Sequence, residues 1–328
     1  MALSETLYGK TPEQLAAVCA ELGMPRFAAK QLARWLYAKH VEDPMRMSDI
    51  AAAHRAKLAE RFRPAFTPPA RITESADGTK KYLYRTQQGA WIESAYIPDG
   101  ERATLCVSSQ AGCRMGCKFC ASTLAGLVRS LRPSEMLDEI YTLTRDSGQR
   151  VSNVVLMGIG EPLDNYDNVM KFLNILSSEQ GYNLSLRHLS LSTCGLVDRI
   201  YELAAHKSGL TLSISLHAPN DEIRSRTMPI NNRYPIDELL KACRYYFQQT
   251  GRRISFEYAL IEGVNDEICH ANELADRLKG MAAHVNLIPV NPVKERGFKR
   301  GSRQRIMDCT VSNVQAFLNG APENVVNR

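Results

Sequence analysis

From residue 102 onward, short runs of β-forming apolar residues alternate with longer helical patterns. That alternation constrains the fold more than any other feature of the chain. Candidate strands cover 103–108, 153–157, 187–192, 210–216, 253–260 and 284–288. Candidate helices between them cover 134–145, 166–178, 197–206, 236–250 and 267–279. Strands separated by helices of this length form a parallel sheet with helical crossovers, either doubly wound or a partial barrel. In such architectures ligands bind at the C-terminal ends of the strands. Reactive and polar residues collect there. A cysteine-rich loop follows the first strand and Gly160-Glu161 the second; Ser192-Thr193 ends the third, Ser215 and His217 end the fourth, and Asn291 follows the sixth. Five independent segments thus place chemistry on one face.

Two different patterns precede this region. Residues 11–62 read as helical: Thr11 can cap a helix with Pro12 in its first turn, and Leu15, Val18 and Leu22 fall at helical spacing before Gly23. A second run holds Leu32, Trp35 and Leu36, with Arg26, Lys30, Arg34 and Lys39 around it, and a third covers 48–62. Pro64, Pro68 and Pro69 mark a linker. Residues 71–98 then read as strands, with Asp77-Gly78 and Gln88-Gly89 as turns. The expected organisation is a helical domain at 1–65, a β-hairpin extension at 66–100 and an α/β domain at 101–328.

Composition narrows the class. An apolar fraction of 44% excludes a mainly disordered chain. Lys and Arg number 41 against 35 Asp and Glu, a net charge of +6, which permits a nucleic-acid partner and equally suits an ordinary basic enzyme. Residues 1–10 lack the apolar run of a secretory signal, and the longest apolar stretch, 154–159, is too short to span a membrane. A soluble, cytoplasmic protein is expected. Nine cysteines in such a chain do not suggest a disulfide framework.

Three of the cysteines, Cys113, Cys117 and Cys120, lie within eight residues. Three thiolates on a short loop can hold three irons of a [4Fe–4S] cluster and leave the fourth open to a substrate or cofactor, because no fourth cysteine follows closely. The same spacing admits a zinc site with Cys106 or a histidine as fourth ligand.

The Cys-x3-Cys-x2-Cys loop after a first strand is the signature of the radical S-adenosylmethionine (SAM) superfamily. Within it, the sequence resembles the RlmN/Cfr family of RNA adenine methyltransferases. The resemblance rests on Leu105-Cys106-Val107-Ser108-Ser109-Gln110, on 157–163 (Met-Gly-Ile-Gly-Glu-Pro-Leu), on Leu191-Ser192-Thr193, on 215–220 (Ser-Leu-His-Ala-Pro-Asn), and on Asn286-Leu287-Ile288-Pro289 leading to Asn291-Pro292. Pro162 favours the C2-methylating branch over the C8-methylating one.

The resemblance implies a partial (βα)6 barrel carrying a small helical accessory domain and the hairpin extension. It implies a [4Fe–4S] cluster on Cys113, Cys117 and Cys120, and SAM contacts from Gly160, Glu161, Ser192, Ser215, Leu216, His217 and Asn291. The implied reaction adds a methyl group to C2 of an adenine in 23S rRNA and in tRNA. Adenine C2 lies between electron-poor ring nitrogens, so displacement on the SAM methyl group cannot reach it and a radical route is needed. In the implied scheme a C-terminal cysteine carries the methyl group, Glu93 takes the C2 proton, and Cys106 resolves the adduct by forming a disulfide. Read from the sequence alone, Glu93 is an ordinary solvated strand carboxylate and Cys106 a buried strand cysteine. A flavodoxin or ferredoxin is the implied electron donor, and a monomer is expected.

The family's carrier cysteine lies in an Ala-Cys-Gly-Gln-Leu segment, which the 328 residues do not contain. Cys309 does not align with it. The expectation is that this polypeptide binds and cleaves SAM but does not complete methyl transfer. RNA contacts are expected from the N-terminal helices and from Lys294, Arg296, Lys299, Arg300, Arg303 and Arg305. The alternatives are a C8-methylating enzyme and a non-catalytic iron–sulfur or zinc protein that binds RNA.

Overall fold

The computed structural model describes residues 5–86 and 88–301. Helix α1 (Pro12–Glu21) starts as the sequence predicts: Thr11 Oγ1 accepts from the Gln14 N–H, and the Gln14 side chain accepts from the Thr11 N–H. Helix α2 (Ala28–Ala33) runs on into a wide π turn, Arg34–Ala38, which buries Trp35, Leu36 and Tyr37. Arg26, Lys30, Arg34 and Lys39 are all exposed, and the Lys39 ammonium lies over the Trp35 ring. The third helical run is shorter than expected: α3 (Ala52–Arg61) begins four residues late, after a turn in which the Ile50 N–H bonds to Met47.

Strands β1 (Arg71–Glu74), β2 (Lys80–Arg85), β3 (Trp91–Asp99) and β4 (Arg102–Cys106) pair antiparallel in sequence order. At the first turn Gly78 takes a φ of 80°, and Asp77 accepts from the Thr79 N–H. Next come β5 (Gln110–Gly112) and β6 (Leu127–Ser130), two short strands flanking the cysteine loop that the periodicity did not reveal.

The predicted alternation follows: α4 (Pro133–Ser147), β7 (Asn153–Leu156), α5 (Tyr166–Ser177), β8 (Leu189–Thr193), α6 (Val197–Ala205) and β9 (Thr211–Ser215). Then come α7 (Asp221–Thr227), α8 (Ile236–Thr250), β10 (Ile254–Leu260), α9 (Ile268–Leu278) and β11 (Ala283–Pro289). All six predicted strands of the α/β region are present. The third starts later than expected, because Leu186–His188 form a 3-10 turn capped by Ser185. Helix α7 was not predicted. No helix among the described residues is long and apolar enough to cross a membrane.

The chain divides into two compact units. The first comprises residues up to Ala111 with Arg129–Ile159 and Asn165–Leu189; the second comprises Gly112–Val128, Gly160–Asp164 and the chain from Ser190. In the first, β4 pairs parallel with β7, and Leu105, Val154 and Leu156 are buried with Met136, Ile140 and Phe172 of the helices. The N-terminal helices join this unit through tyrosines: the Tyr8 ring lies 5.6 Å from that of Tyr141 on α4, whose hydroxyl donates to the Tyr37 carbonyl. In the second, β8, β9, β10 and β11 pair parallel in that order. Leu191, Leu212, Ile214 and Phe256 are buried with Ile200, Leu239 and Cys243, and in β8 (Leu-Ser-Leu-Ser-Thr) and β9 (Thr-Leu-Ser-Ile-Ser) the apolar residues alternate with serine and threonine, the period of two of a strand.

One titration is built into the first unit. His40 packs edge-on against Tyr141, with ring centroids 4.0 Å apart, and its Nδ1 is buried without a partner. Burial, and then the Arg145 charge, lower its pKa to about 4. The unfolded chain therefore binds more protons than the folded one between about pH 6.5 and 4, so this contribution to stability is lost as pH falls through that window. Asn tolerates the φ of 55° at this position and does not titrate. In urea unfolding, the native chain's advantage over His40→Asn is expected to shrink between pH 7 and pH 4.5. After discounting for partial exposure the change is about 1 kcal/mol.

Candidate active site

The cysteine loop is held by backbone bonds rather than by its thiols. Gly112 has a φ of 74°, and a Cβ there would lie 2.0 Å from the Gly126 carbonyl oxygen, so only glycine lets the chain fold back this tightly. The Cys113 N–H donates to that same Gly126 carbonyl at 3.0 Å. The Thr123 hydroxyl lies 3.0 Å from the carbonyls of both Cys117 and Cys120, and Arg296 donates to Thr123 Oγ1 at 3.0 Å. The Lys118 N–H donates to the Thr227 carbonyl at 2.8 Å, anchoring the loop to the end of α7.

Burial first, and then the neighbouring cysteines and Glu161, push the Cys113 thiol up to about 11 and the Cys117 thiol up to about 12. Both thiols are therefore protonated in the bare protein, and a bound cation displaces their protons. Among the described residues no three His, Cys, Asp or Glu side chains converge as ligands of a single metal ion. A [4Fe–4S] cluster takes one thiolate at each of several separate irons, and the three closely spaced cysteines suit that demand.

Around this loop the second unit gathers the other sequence-predicted residues. Gly160 turns with a φ of 107°. The buried Glu161 carboxylate accepts from the Cys194 N–H at 2.8 Å and from the Leu163 N–H at 3.0 Å. Desolvation raises its pKa, and those hydrogen bonds oppose the rise. Glu161 was expected among the SAM contacts; here its oxygens brace the Gly160 turn against the end of β8. Arg114 of the cysteine loop pairs with Asp164 just beyond, at 2.9 Å.

The Ser192 and Ser215 hydroxyls lie 3.4 Å apart on adjacent strand ends. The N–H groups of Leu216 and His217 both donate to the Glu257 carbonyl. His217 Nδ1 accepts from the Ala259 N–H at 2.8 Å, and its ring meets Phe119 edge-on at 4.9 Å. Burial and the Arg224 charge lower its pKa to about 3, so the ring is neutral. Asn291 lies two residues beyond β11 and is exposed.

Sequence reasoning missed Arg224. Its side chain on α7 is fully buried. It donates to the carbonyls of Cys194 at 2.6 Å, Leu216 at 3.2 Å and Ser215 at 3.4 Å, and to Asn231 Oδ1 at 3.0 Å. One guanidinium thus ties the ends of β8 and β9 together. The legible signal was Asn220 before two acids, a helix cap whose Oδ1 accepts from the Ile223 N–H.

Glu93 and Cys106 belong to the first unit and share a sheet face. Ala95 pairs with Cys106 across β3 and β4, and Glu93 stands two residues along β3 on the same side. Glu93 forms a half-exposed ion pair with Lys81 at 3.1 Å. Cys106 is half-buried, and burial, with the Glu139 charge behind it, pushes its thiol up to about 11. Lys294, Lys299 and Arg300 are exposed, while Arg296 turns inward to Thr123. Arg303, Arg305 and Cys309 lie outside the described residues.

Known proteins resemble the chain over nearly its whole length. Residues 107–275 match the model of the radical SAM superfamily, and residues 6–63 match the ribosomal RNA large subunit methyltransferase N-terminal domain. The chain is 48% identical over 316 residues to a protein of Lachnospira eligens named "Probable dual-specificity RNA methyltransferase RlmN", covering 96% of this chain and 88% of that one. It is 49% identical over 299 residues to a protein of the same name from Clostridium botulinum (strain Eklund 17B / Type B), covering 91% and 86%. A crystal structure of a radical SAM methyltransferase from Sphaerobacter thermophilus superposes with a TM-score of 0.88 at 41% identity, covering 97% of this chain and 93% of that one.

Proposed function

The chain belongs to the radical SAM superfamily and, within it, to the RlmN family of RNA methyltransferases, and from that premise we propose how its residues divide the work. It is a methyltransferase that uses a [4Fe–4S] cluster and SAM and acts on RNA. The target in our reading is C2 of an adenine in 23S rRNA and in tRNA, methylated in the cytoplasm by a monomer supplied with electrons by a flavodoxin or ferredoxin.

Cys113, Cys117 and Cys120 would hold the cluster, and Gly160, Ser192, Ser215, Leu216, His217 and Asn291 would hold SAM. Loaded, these two groups supply the one-electron chemistry that an electron-poor ring carbon requires. Glu161 acts from behind, fixing the Gly160 turn whose backbone meets the ligand. Glu93, half-exposed and paired with Lys81, accepts the C2 proton. Cys106 resolves the protein–RNA adduct by thiol attack on the carrier sulfur. Its high pKa keeps it a protonated thiol until a base approaches, which guards it against idle oxidation.

The observation that carries this reading is the wiring of the second unit. The cysteine loop, the Gly160 turn and the ends of β8 and β9 are joined there by Arg114–Asp164, Glu161–Cys194 and Phe119–His217. A structural metal site needs none of those links. The test is anaerobic reconstitution with iron and sulfide, then incubation with SAM and a reductant. Methionine and 5′-deoxyadenosine are expected in equal amounts; stoichiometric zinc without iron, or intact SAM, rejects the reading. With an Ala-Cys-Gly-Gln-Leu tail appended and RNA present, 2-methyladenosine is expected, and 8-methyladenosine would assign the C8 alternative.

Glu161→Ala leaves the Cys194 and Leu163 N–H groups without their acceptor. SAM affinity measured by calorimetry is expected to fall about tenfold or more, the equivalent of one lost charge-assisted brace. RNA affinity is expected to stay within about twofold. The reverse pattern would take Glu161 out of the SAM site.

A further inference from the structure

We propose that Trp91, with Arg85 beside it, is a stacking platform for a base of single-stranded RNA next to the target adenine. The proposal rests on the RNA-methyltransferase reading above and names the surface that receives the RNA. Strand β4 ends at Cys106, opposite Ala95 of β3. Because β3 runs antiparallel, its first residues continue past that end: Glu93 stands two residues beyond Ala95, and Trp91 four. At about 3.4 Å per residue, Trp91 lies about 14 Å past Cys106 on the same face, with Glu93 between them.

The residue is out of character for its strand. Ile92, Ser94 and Tyr96 turn inward and are buried, while the Trp91 ring is 51% exposed. Arg85 is its register partner on β2, and the guanidinium carbon lies 5.9 Å from the ring centroid. Lys81 shares this face through the same register, and so does Arg71 of β1, opposite Leu83. All three cations are exposed, and Lys81 pairs with Glu93. Single apolar residues at a protein surface need no explanation. An indole flanked by a guanidinium, among cations and two residues from a catalytic carboxylate, presents a π face for a base and charges for its phosphates. A base inside a duplex has no free face to offer, so the occupant is an unpaired strand.

The chain has two tryptophans, which makes the test direct. Trp35 is 8% exposed and its indole N–H is bonded to Asp49, so acrylamide quenching reports Trp91. The full chain is titrated with a short, adenine-containing single-stranded RNA. Bound RNA is expected to quench Trp91 emission and shield it from acrylamide. Trp91→Ala is expected to bind that RNA between about 5-fold and 150-fold more weakly, the range for one lost base–aromatic stack, with Trp91→Phe restoring most of it. Arg85→Ala should lower the slope of log affinity against log salt by about 0.7. Both Trp91 variants should keep the parental unfolding midpoint, because the ring is half exposed. RNA binding with Trp91 emission unmoved, or at full affinity in Trp91→Ala, overturns the platform alone. Shielding of Trp91 in the free chain, by another segment of the protein, overturns it as well. Failure of the unmodified chain to bind RNA overturns the methyltransferase reading and the platform together.

Discussion

Cys117→Ala is expected to abolish reductive SAM cleavage while leaving the protein folded. Two thiolates cannot retain a cubane that three hold, so iron should fall from about four per chain to a small fraction after anaerobic reconstitution. The brown colour should go with it, and 5′-deoxyadenosine should drop below detection. Folding should survive because the loop is fastened by other atoms: Cys113 N–H to Gly126, Thr123 to the Cys117 and Cys120 carbonyls, and Lys118 N–H to Thr227. The loss in unfolding free energy should be about 1 kcal/mol. Cys243→Ala is the contrasting control. That thiol is buried in α8 among strand and helix side chains. Its removal should lower stability by about 1–2 kcal/mol and leave iron and SAM cleavage in place. Full iron loading in Cys117→Ala would remove the cluster assignment.

Arg224→Met should produce the largest loss of stability of any single change in the second unit. The guanidinium is buried, and its removal leaves the carbonyls of Cys194, Leu216 and Ser215 and the Asn231 side chain without their donor. Breaking such a buried network costs about 3–5 kcal/mol, out of the 5–15 kcal/mol that a domain typically has. Urea unfolding should show that loss, and calorimetry should show weaker SAM binding because the strand ends to which we assign SAM are no longer tied. Arg224→Lys should recover only part of both, since an ammonium cannot reproduce the planar fork. An Arg224→Met protein with native stability and native SAM affinity would show that the carbonyls find other donors, and that the arginine has no positioning role.

How much of this was legible in the sequence depended on how local the cause was. The alternation of β8 to β11 with their helices was readable because short β-forming runs repeat every two residues and amphipathic helices every 3.6. The Thr11 cap and the Asp77-Gly78 turn were readable because each is a hydrogen bond between near neighbours in the chain. The cysteine spacing and the strand-end residues were equally readable, because a parallel sheet fixes where its ligands lie. Helix α7 escaped for the opposite reason. It is seven residues long, and the inward residue that matters most is an arginine, which hydropathy assigns to solvent. Whether such a charge is buried depends on acceptors supplied by β8, β9 and Asn231, and these come from distant parts of the chain.

The same distinction separates the roles within the site. Residue type and spacing alone marked Cys113, Cys117 and Cys120 as one candidate ligand set, and put Ser215 and His217 at the end of a strand and Glu161 in the loop that follows another. Only the tertiary structure decided that the Glu161 carboxylate braces a backbone turn and that Arg114 pairs with Asp164. The register of β3 on β4 likewise decided that Glu93, Cys106 and Trp91 share one face. Spacing is a property of neighbouring residues and survives in the sequence. Partnership between elements is settled by which donors and acceptors burial brings within about 3 Å, and the linear order of the chain does not record it.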